Sequence, residues 1–185
     1  MLFRSKKPII SIYTRDQRDL VKIYKAFYLK YPHLKWVSFR DMRGLPREAF
    51  AKSLAESCLA IWVDEISSFG TFPLEAIKSN VPVLGLVPNM VPEWMNDKNG
   101  LWTHDPLMIV DLAANYFQAW LEDGEPQELY DEMAKTKETY TMSEMKEKLT
   151  EVYGKIFENR VSELKASLPL EMVIEDVENN VEIKK

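Results

Sequence analysis

The sequence predicts an α/β fold, a doubly wound parallel sheet with a helical C-terminal extension. Three observations lead there. Short apolar runs rich in β-branched residues recur, as in Ile9-Ile10-Ser11-Ile12-Tyr13 and Leu59-Ala60-Ile61-Trp62-Val63; strands buried on both faces read this way. Segments of helical spacing separate them, the alternation that builds a parallel sheet. Beyond residue 105 the periodic segments are all helical.

Ile9 to Tyr13 is the first strand. After the polar stretch Thr14 to Asp19, residues Leu20, Ile23, Tyr24, Phe27 and Tyr28 recur at helical spacing up to about Lys30. Pro32 ends that helix, because the residue before a proline avoids helical angles. A strand is predicted over about Lys35 to Phe39, a loop over Arg40 to Leu45, and a helix over Pro46 to Ser57 with its proline near the first position. Leu59 to Val63 is a buried strand, and Cys58 beside it is expected to be buried too. Asp64 to Thr71 is a loop and Pro73 to Ser79 a short helix. Val81 to Val87 is a strand, with Pro82 confined to its start because proline donates no ladder hydrogen bond. A loop covers Pro88 to Gly100 and precedes another short strand. Asp105-Pro106 is predicted to open a helix, Asp105 being its cap. Ile109, Leu112, Ala113, Tyr116, Phe117 and Trp120 form its inner face, and Asp123-Gly124 stops it. A further helix runs from about Pro126 to Glu138. Thr141 and Glu144 fit a capping box. The long helix they open carries the apolar stripe Met145, Leu149, Val152, Ile156 and on to Leu164, and Pro169 ends it. The expected organisation is a sheet domain over 1–140, an amphipathic helix over 141–168 and a loose acidic tail over 169–185.

Composition narrows the function. The 185 residues fit one domain with room for a sizeable core. A hydrophobic share of 46% against 29% charged is globular rather than disordered. The net charge of -5 argues against a general nucleic-acid binder, which needs a positive field. One cysteine excludes an internal disulfide and Cys-rich zinc sites, and the distant pair His33 and His104 adds no metal cluster. No apolar stretch approaches the ~18 residues of a membrane span. Met1 to Lys7 is too short and charged for a signal peptide. The expected location is cytoplasmic, at most peripheral to the inner membrane face. No Gly-x-Ser-x-Gly elbow supports a serine triad. No Gly-x-Gly-x-x-Gly follows the first strand, against a dinucleotide enzyme.

In an open α/β sheet, ligands bind at the carboxyl ends of strands where the strand order reverses. Two loops qualify: Thr14 to Asp19, and Asp64 to Thr71. In the second, Ser67-Ser68-Phe69-Gly70-Thr71 feeds directly into a helix. Small residues admit close backbone approach, and helix-start amides attract an anion. The same residues equally fit a capped turn with Thr71 as N-cap. Glu75 in an early helical turn fits either dipole stabilisation or a carboxylate holding paired hydroxyls. Arg15 and Arg18 fit either a solvated helix start or diphosphate recognition by planar guanidinium forks.

Ser67 to Gly85 resembles the signature of the large retaining group of GT-B glycosyltransferases, the group 1 type. That signature reads Glu-Gly-Phe-Gly, a few residues, Glu-Ala-Met/Ile, then Gly-x-Pro-Val before a strand. Here Phe69-Gly70, Glu75-Ala76-Ile77 and Val81-Pro82-Val83 match, and Val91-Pro92-Glu93 and Asn99-Gly100 continue the likeness. Upstream, Arg15 and Arg18 fall near the family's basic pair. The resemblance covers about residues 9 to 123 and is specific between 67 and 100. It implies the Rossmann-like C-terminal domain of a GT-B enzyme, which holds the nucleotide-sugar donor, a UDP- or GDP-sugar. Glu75 would bind the ribose hydroxyls, Ser67, Ser68, Phe69, Gly70 and Thr71 the diphosphate or sugar, and Arg15 and Arg18 the diphosphate charge. The chain contains no Asp-x-Asp motif, so neither a metal nor another cofactor is expected.

Two departures follow. Ser67 replaces the family's first glutamate, which contacts the transferred sugar. The family's active site also lies between two domains, and the expectation is that this sequence lacks the acceptor-binding N-terminal domain. The expected function is hexosyl transfer to a glycan or other acceptor in cell-surface polysaccharide synthesis, with the isolated chain inactive. The alternative is a regulatory or interaction module that binds a nucleotide or anion without transfer.

Overall fold

The computed structural model describes residues 6–66, 69–124 and 126–167. β1 (Lys7–Thr14) leads to α1 (Gln17–Lys30), a 3-10 turn (Pro32–Leu34) and β2 (Ser38–Asp41). α2 (Arg47–Glu56), β3 (Ser57–Val63), α3 (Thr71–Lys78), β4 (Val83–Leu86) and β5 (Leu101–Thr103) follow, then α4 (Met108–Glu122), α5 (Gln127–Thr139) and α6 (Met142–Ser167). The strands form one parallel sheet in the order β2-β1-β3-β4-β5. The chain steps outward from β1 to β2, then passes back over β1 to reach β3. The order therefore reverses between β1 and β3, and such a switch opens a crevice at the strands' carboxyl ends. This is the doubly wound α/β sheet with a helical extension that the sequence predicts.

Two rows of side chains define the faces. Ile12, Ile61, Leu84 and Leu101 stand in register across four strands. They face α1 and α4, whose Phe27, Ile109, Ala113 and Phe117 complete the main core. The next row, Tyr13, Trp62, Gly85 and Trp102, faces the opposite way, because successive strand residues alternate. Tyr13 stacks on Phe72 of α3 at 5.5 Å, and Phe72 meets Phe50 of α2, so α2 and α3 cover this side. Gly85 is required between the two tryptophans: a Cβ there would lie 2.5 Å from the Trp62 carbonyl oxygen and 3.2 Å from the Trp102 ring.

The ends of the helices follow local chemistry. Asp16 caps α1 by accepting from the Arg18 amide at 2.8 Å. Pro32 lies two residues beyond the last helical residue, Lys30, as expected. α3 closes in a Schellman motif: the Val81 amide donates to the Ala76 carbonyl and the Asn80 amide to that of Ile77. Asn80 takes the left-handed conformation (φ 54) where the resembling family has glycine, and asparagine tolerates that region better than other side chains.

Several boundaries differ from expectation: β4 starts at Val83 rather than Val81, and α3 at Thr71 rather than Pro73. β2 starts three residues later than predicted, because Pro32 to Leu34 winds into the 3-10 turn and Val37 hydrogen-bonds back to Leu34. α4 starts at Met108 rather than at Asp105-Pro106. Asp105 does act as a cap, its carboxylate accepting from the Leu107 amide and its carbonyl from Met108, but on a preceding turn. Thr71 is the first residue of α3, whose N-cap is Gly70.

The chain divides into two compact units, Met1–Thr139 and Tyr140–Lys185. In the second, the Glu144 amide donates to the Thr141 hydroxyl, one half of the expected capping box. The stripe Met145, Leu149, Val152, Ile156 and Leu164 is exposed. Pro169 and the predicted tail lie outside the described residues. Among the described residues no helix is long and apolar enough to cross a membrane.

Candidate functional site

The two loops read from the sequence meet at the β1–β3 switch. β1 hands over to α1 through only Arg15 and Asp16. The Thr14 hydroxyl donates to the Asp16 carbonyl, which fixes this corner. Asp16 then carries two loads. One oxygen caps α1; the other takes two hydrogen bonds from the Arg18 guanidinium, at 2.8 and 2.6 Å. The Arg18 contacts hold the Asp16 carboxyl down at about 2, and the arginine is raised in return.

The second loop leaves β3 at Asp64, which is buried. One Asp64 oxygen accepts from the Ile66 amide, and the other lies 3.4 Å from the Arg15 guanidinium. That ion pair joins loops almost fifty residues apart. Together they line a cleft of about 550 Å³, which includes Arg15, Asp16, Asp64 and Glu65. The size is right for a small-molecule site. Its carboxylates, Asp16, Asp19, Asp64 and Glu65, outnumber Arg15 as the lining cation.

Gly70 turns the loop into α3. It takes φ 67 and ψ 63, so a left-handed residue is needed there. A Cβ on Gly70 would meet Pro73, Trp94 and Trp62 at 3.0 to 3.1 Å. The turn is thus packed down on the aromatic row of the sheet. The N-cap residue of α3, a glycine, brings no side chain to the first amides of the helix. Phe69 is exposed at 56% beside it.

The structure distributes the predicted residues unevenly. Arg15 lines the cleft; Arg18 stands at its rim on the Asp16 carboxylate. Gly70 and Thr71 lie at the head of α3, on the other face of the sheet edge. Glu75 is one turn further on, between the charges of Lys78 and Arg47. Its side chain reaches solvent, yet partial burial raises its carboxyl above the ordinary glutamate value, an effect the two cations oppose. Ser67 and Ser68 lie outside the described residues. Sequence reading passed over Asp64, which orients Arg15, and over Arg43 and Arg47 at the ends of β2 and α2. Arg43 is forked onto Asp41 and lies close enough to Asp16 and Tyr13 to feel them. The available signal was position: each directly follows a strand or opens a helix at the carboxyl edge. His104 is exposed just after β5, beside Val91 and Met95. A larger cavity, about 790 Å³, opens between α4, α5 and the start of β5, away from these loops. Among the described residues no group of three or more metal-binding side chains converges.

No protein-family model matches this sequence, and no curated protein matches it. Solved structures do share its fold. The crystal structure of a GtfA/B complex aligns over 83% of this chain and 37% of its own, at TM-score 0.60 and 17% identity. A pneumococcal O-GlcNAc transferase, GtfA, in complex with UDP and GlcNAc, aligns over 84% and 37%, at TM-score 0.57 and 15% identity. Anabaena Alr3699/HepE in complex with UDP aligns over 82% and 50%, at TM-score 0.59 and 11% identity. The chain spans 37% to 50% of these structures. At such identities the likeness is one of fold: these structures contain the same doubly wound parallel α/β arrangement as this chain.

Proposed function

We propose that this chain is the donor-holding part of a glycosyltransferase, binding a nucleoside-diphosphate sugar at the β1–β3 switch. The single observation that carries the reading is the Arg15–Asp64 contact, which brings the two candidate loops together where a doubly wound sheet binds ligands. Arg15 and Arg18 serve the diphosphate, joined by the first amides of α3. The charge that grows on a departing nucleoside diphosphate is stabilised best by donors already in place. Both arginines are engaged with carboxylates, but those guanidinium groups are well exposed (62% and 83% of the side chain). The Arg18–Asp16 pair is exposed on both sides and such pairs are worth only about 0–1 kcal/mol, so a phosphate can compete for Arg18. Arg15 can keep its contact with the buried Asp64 and turn its other N–H donors to the phosphate. Glu75 takes the ribose hydroxyls, and Ser67 and Ser68 extend the polar loop. Two of the fold neighbours were solved with UDP, which favours a uridine nucleotide over GDP. No metal or other cofactor enters this reading. Hexosyl transfer to a glycan, in cell-surface polysaccharide synthesis at the cytoplasmic side of the membrane, is its extension to the whole enzyme, with an N-terminal domain supplying the acceptor side.

The second reading is a nucleotide- or anion-binding module without transfer. The carboxylate-rich cleft favours it, as does Ser67 in place of a glutamate. Calorimetric titration with UDP, GDP and ADP tests the proposal. The expected result is saturable binding of UDP, weakened in Arg15→Ala and in Glu75→Ala. Binding that ignores both substitutions would refute the assigned site.

A further inference from the structure

The loop that joins β4 to β5 lies over the β3–α3 loop and holds it on both sides of Ser67-Ser68. On one side the Asn89 amide donates to the Glu65 carbonyl at 3.0 Å. On the other, the Trp94 indole N–H donates to the Phe69 carbonyl at 2.6 Å. Trp94 is 3% exposed, and its ring meets the position a Gly70 Cβ would occupy. Its own backbone is tied in turn: the Trp94 carbonyl accepts from the Asn99 amide group at 2.6 Å, and Asn99 also donates to Thr136 of α5 at 3.0 Å. A chain of buried contacts therefore runs from α5 to the turn that opens α3.

The geometry points to Trp94 as the positioning residue of the candidate site. Buried as it is, it acts through the turn rather than through its own surface. It sets where the Phe69 carbonyl and the Gly70 turn sit, and so where the first amides of α3 lie relative to Arg15 and Arg18. Neither the sequence motif nor the fold comparison assigns it a role. A left-handed turn at a helix start has two soft backbone angles per residue, and a hydrogen bond from a packed indole restricts that freedom. The neighbouring Trp102 does not reach the turn in this way; its N–H goes to Asn99.

This inference rests on the proposed nucleotide site, and its test separates the two. The full chain, labelled with 5-fluorotryptophan, has five tryptophan resonances to follow while UDP is titrated. Trp94→Phe keeps an aromatic ring over Gly70 and removes the N–H; Trp120→Phe on α4 is the comparison. The expected results are that UDP shifts the Trp94 resonance and that Trp94→Phe weakens UDP binding by about tenfold or more, as a loosened supporting contact should. Trp120→Phe should stay within about twofold, inside the usual small effect of a remote substitution. If Trp94→Phe folds poorly, the Trp94 resonance is assigned by elimination from the other four single variants, and its response to UDP in the unsubstituted chain decides. UDP binding with an unmoved Trp94 resonance, or at unchanged affinity in Trp94→Phe, overturns the inference alone. No UDP binding by the folded, unsubstituted chain overturns the site and the inference together.

Discussion

Replacing Asn99 by alanine should cost this protein more than any other single polar truncation in the β4–β5 loop. Asn99 is fully buried, and all its hydrogen-bonding capacity is used. Its amide group donates to the Trp94 carbonyl (2.6 Å) and the Thr136 hydroxyl (3.0 Å); its oxygen accepts from the Asn96 amide (3.1 Å) and the Trp102 indole (3.3 Å). Each bond contributes about 1 kcal/mol net, and the two longer ones less, while buried partners left unsatisfied add to the loss. The sum is about 3–4 kcal/mol, or about 10 °C in Tm for a unit of this size. Thr136→Val removes only one of the four contacts and should cost about 1 kcal/mol. The five tryptophans, at 36, 62, 94, 102 and 120, all lie in the first unit, so their fluorescence during urea unfolding reports that unit alone. A loss below about 1 kcal/mol for Asn99→Ala, which is what one exposed hydrogen bond would give, would refute the reasoning.

Three other outcomes are expected. Gly70→Ala forces a side chain into the left-handed region, at about 1–2 kcal/mol, and pushes Cβ against Pro73, Trp94 and Trp62; thermal melts should show a loss of at least that size. Gly85→Ala meets the Trp62 backbone, which cannot step aside as a side chain can, so about 2–3 kcal/mol or more should be lost in the same melts; a near-neutral result would mean that the Trp62–Gly85–Trp102 row is misread. Asp16 should titrate by carbon-detected NMR near 2 rather than at its ordinary 3.8, moving upward in Arg18→Ala, because the Arg18 contact is the largest cause. The folded state binds that proton more weakly than the unfolded chain. Its contribution to stability is therefore complete above 3.8 and fades as pH falls through 2.

Much of the fold was legible in the sequence because burial on both faces writes itself as a continuous run. β1 and β3 each enclose the predicted apolar run, and the α4 face of Ile109, Ala113, Tyr116 and Phe117 is buried as its spacing requires. Edges were read less well. β2 is an edge strand of four residues with none fully buried, so the apolar residues before it, Trp36 and Val37, pulled the prediction toward the amino end. The two candidate loops were legible because each follows a recognisable strand. What lies across them was not. The Arg15–Asp64 pair, the Asp16–Arg18 fork and the Trp94 clamp depend on which strands become neighbours, and strand order is not written in local periodicity. Gly70 shows the limit well: its letter matches a ligand-binding motif, yet its dihedral angles and three close neighbours account for it without any ligand.

The most direct test of the central claim is a chemical-shift map of the full chain under UDP titration. The account predicts saturable shifts centred on two segments, Thr14 to Arg18 and Asp64 to Glu75, and reaching Trp94, with the amides of Thr71 and Phe72 among the largest. Shifts centred instead on the cavity between α4 and α5, or none at saturating UDP, would contradict it.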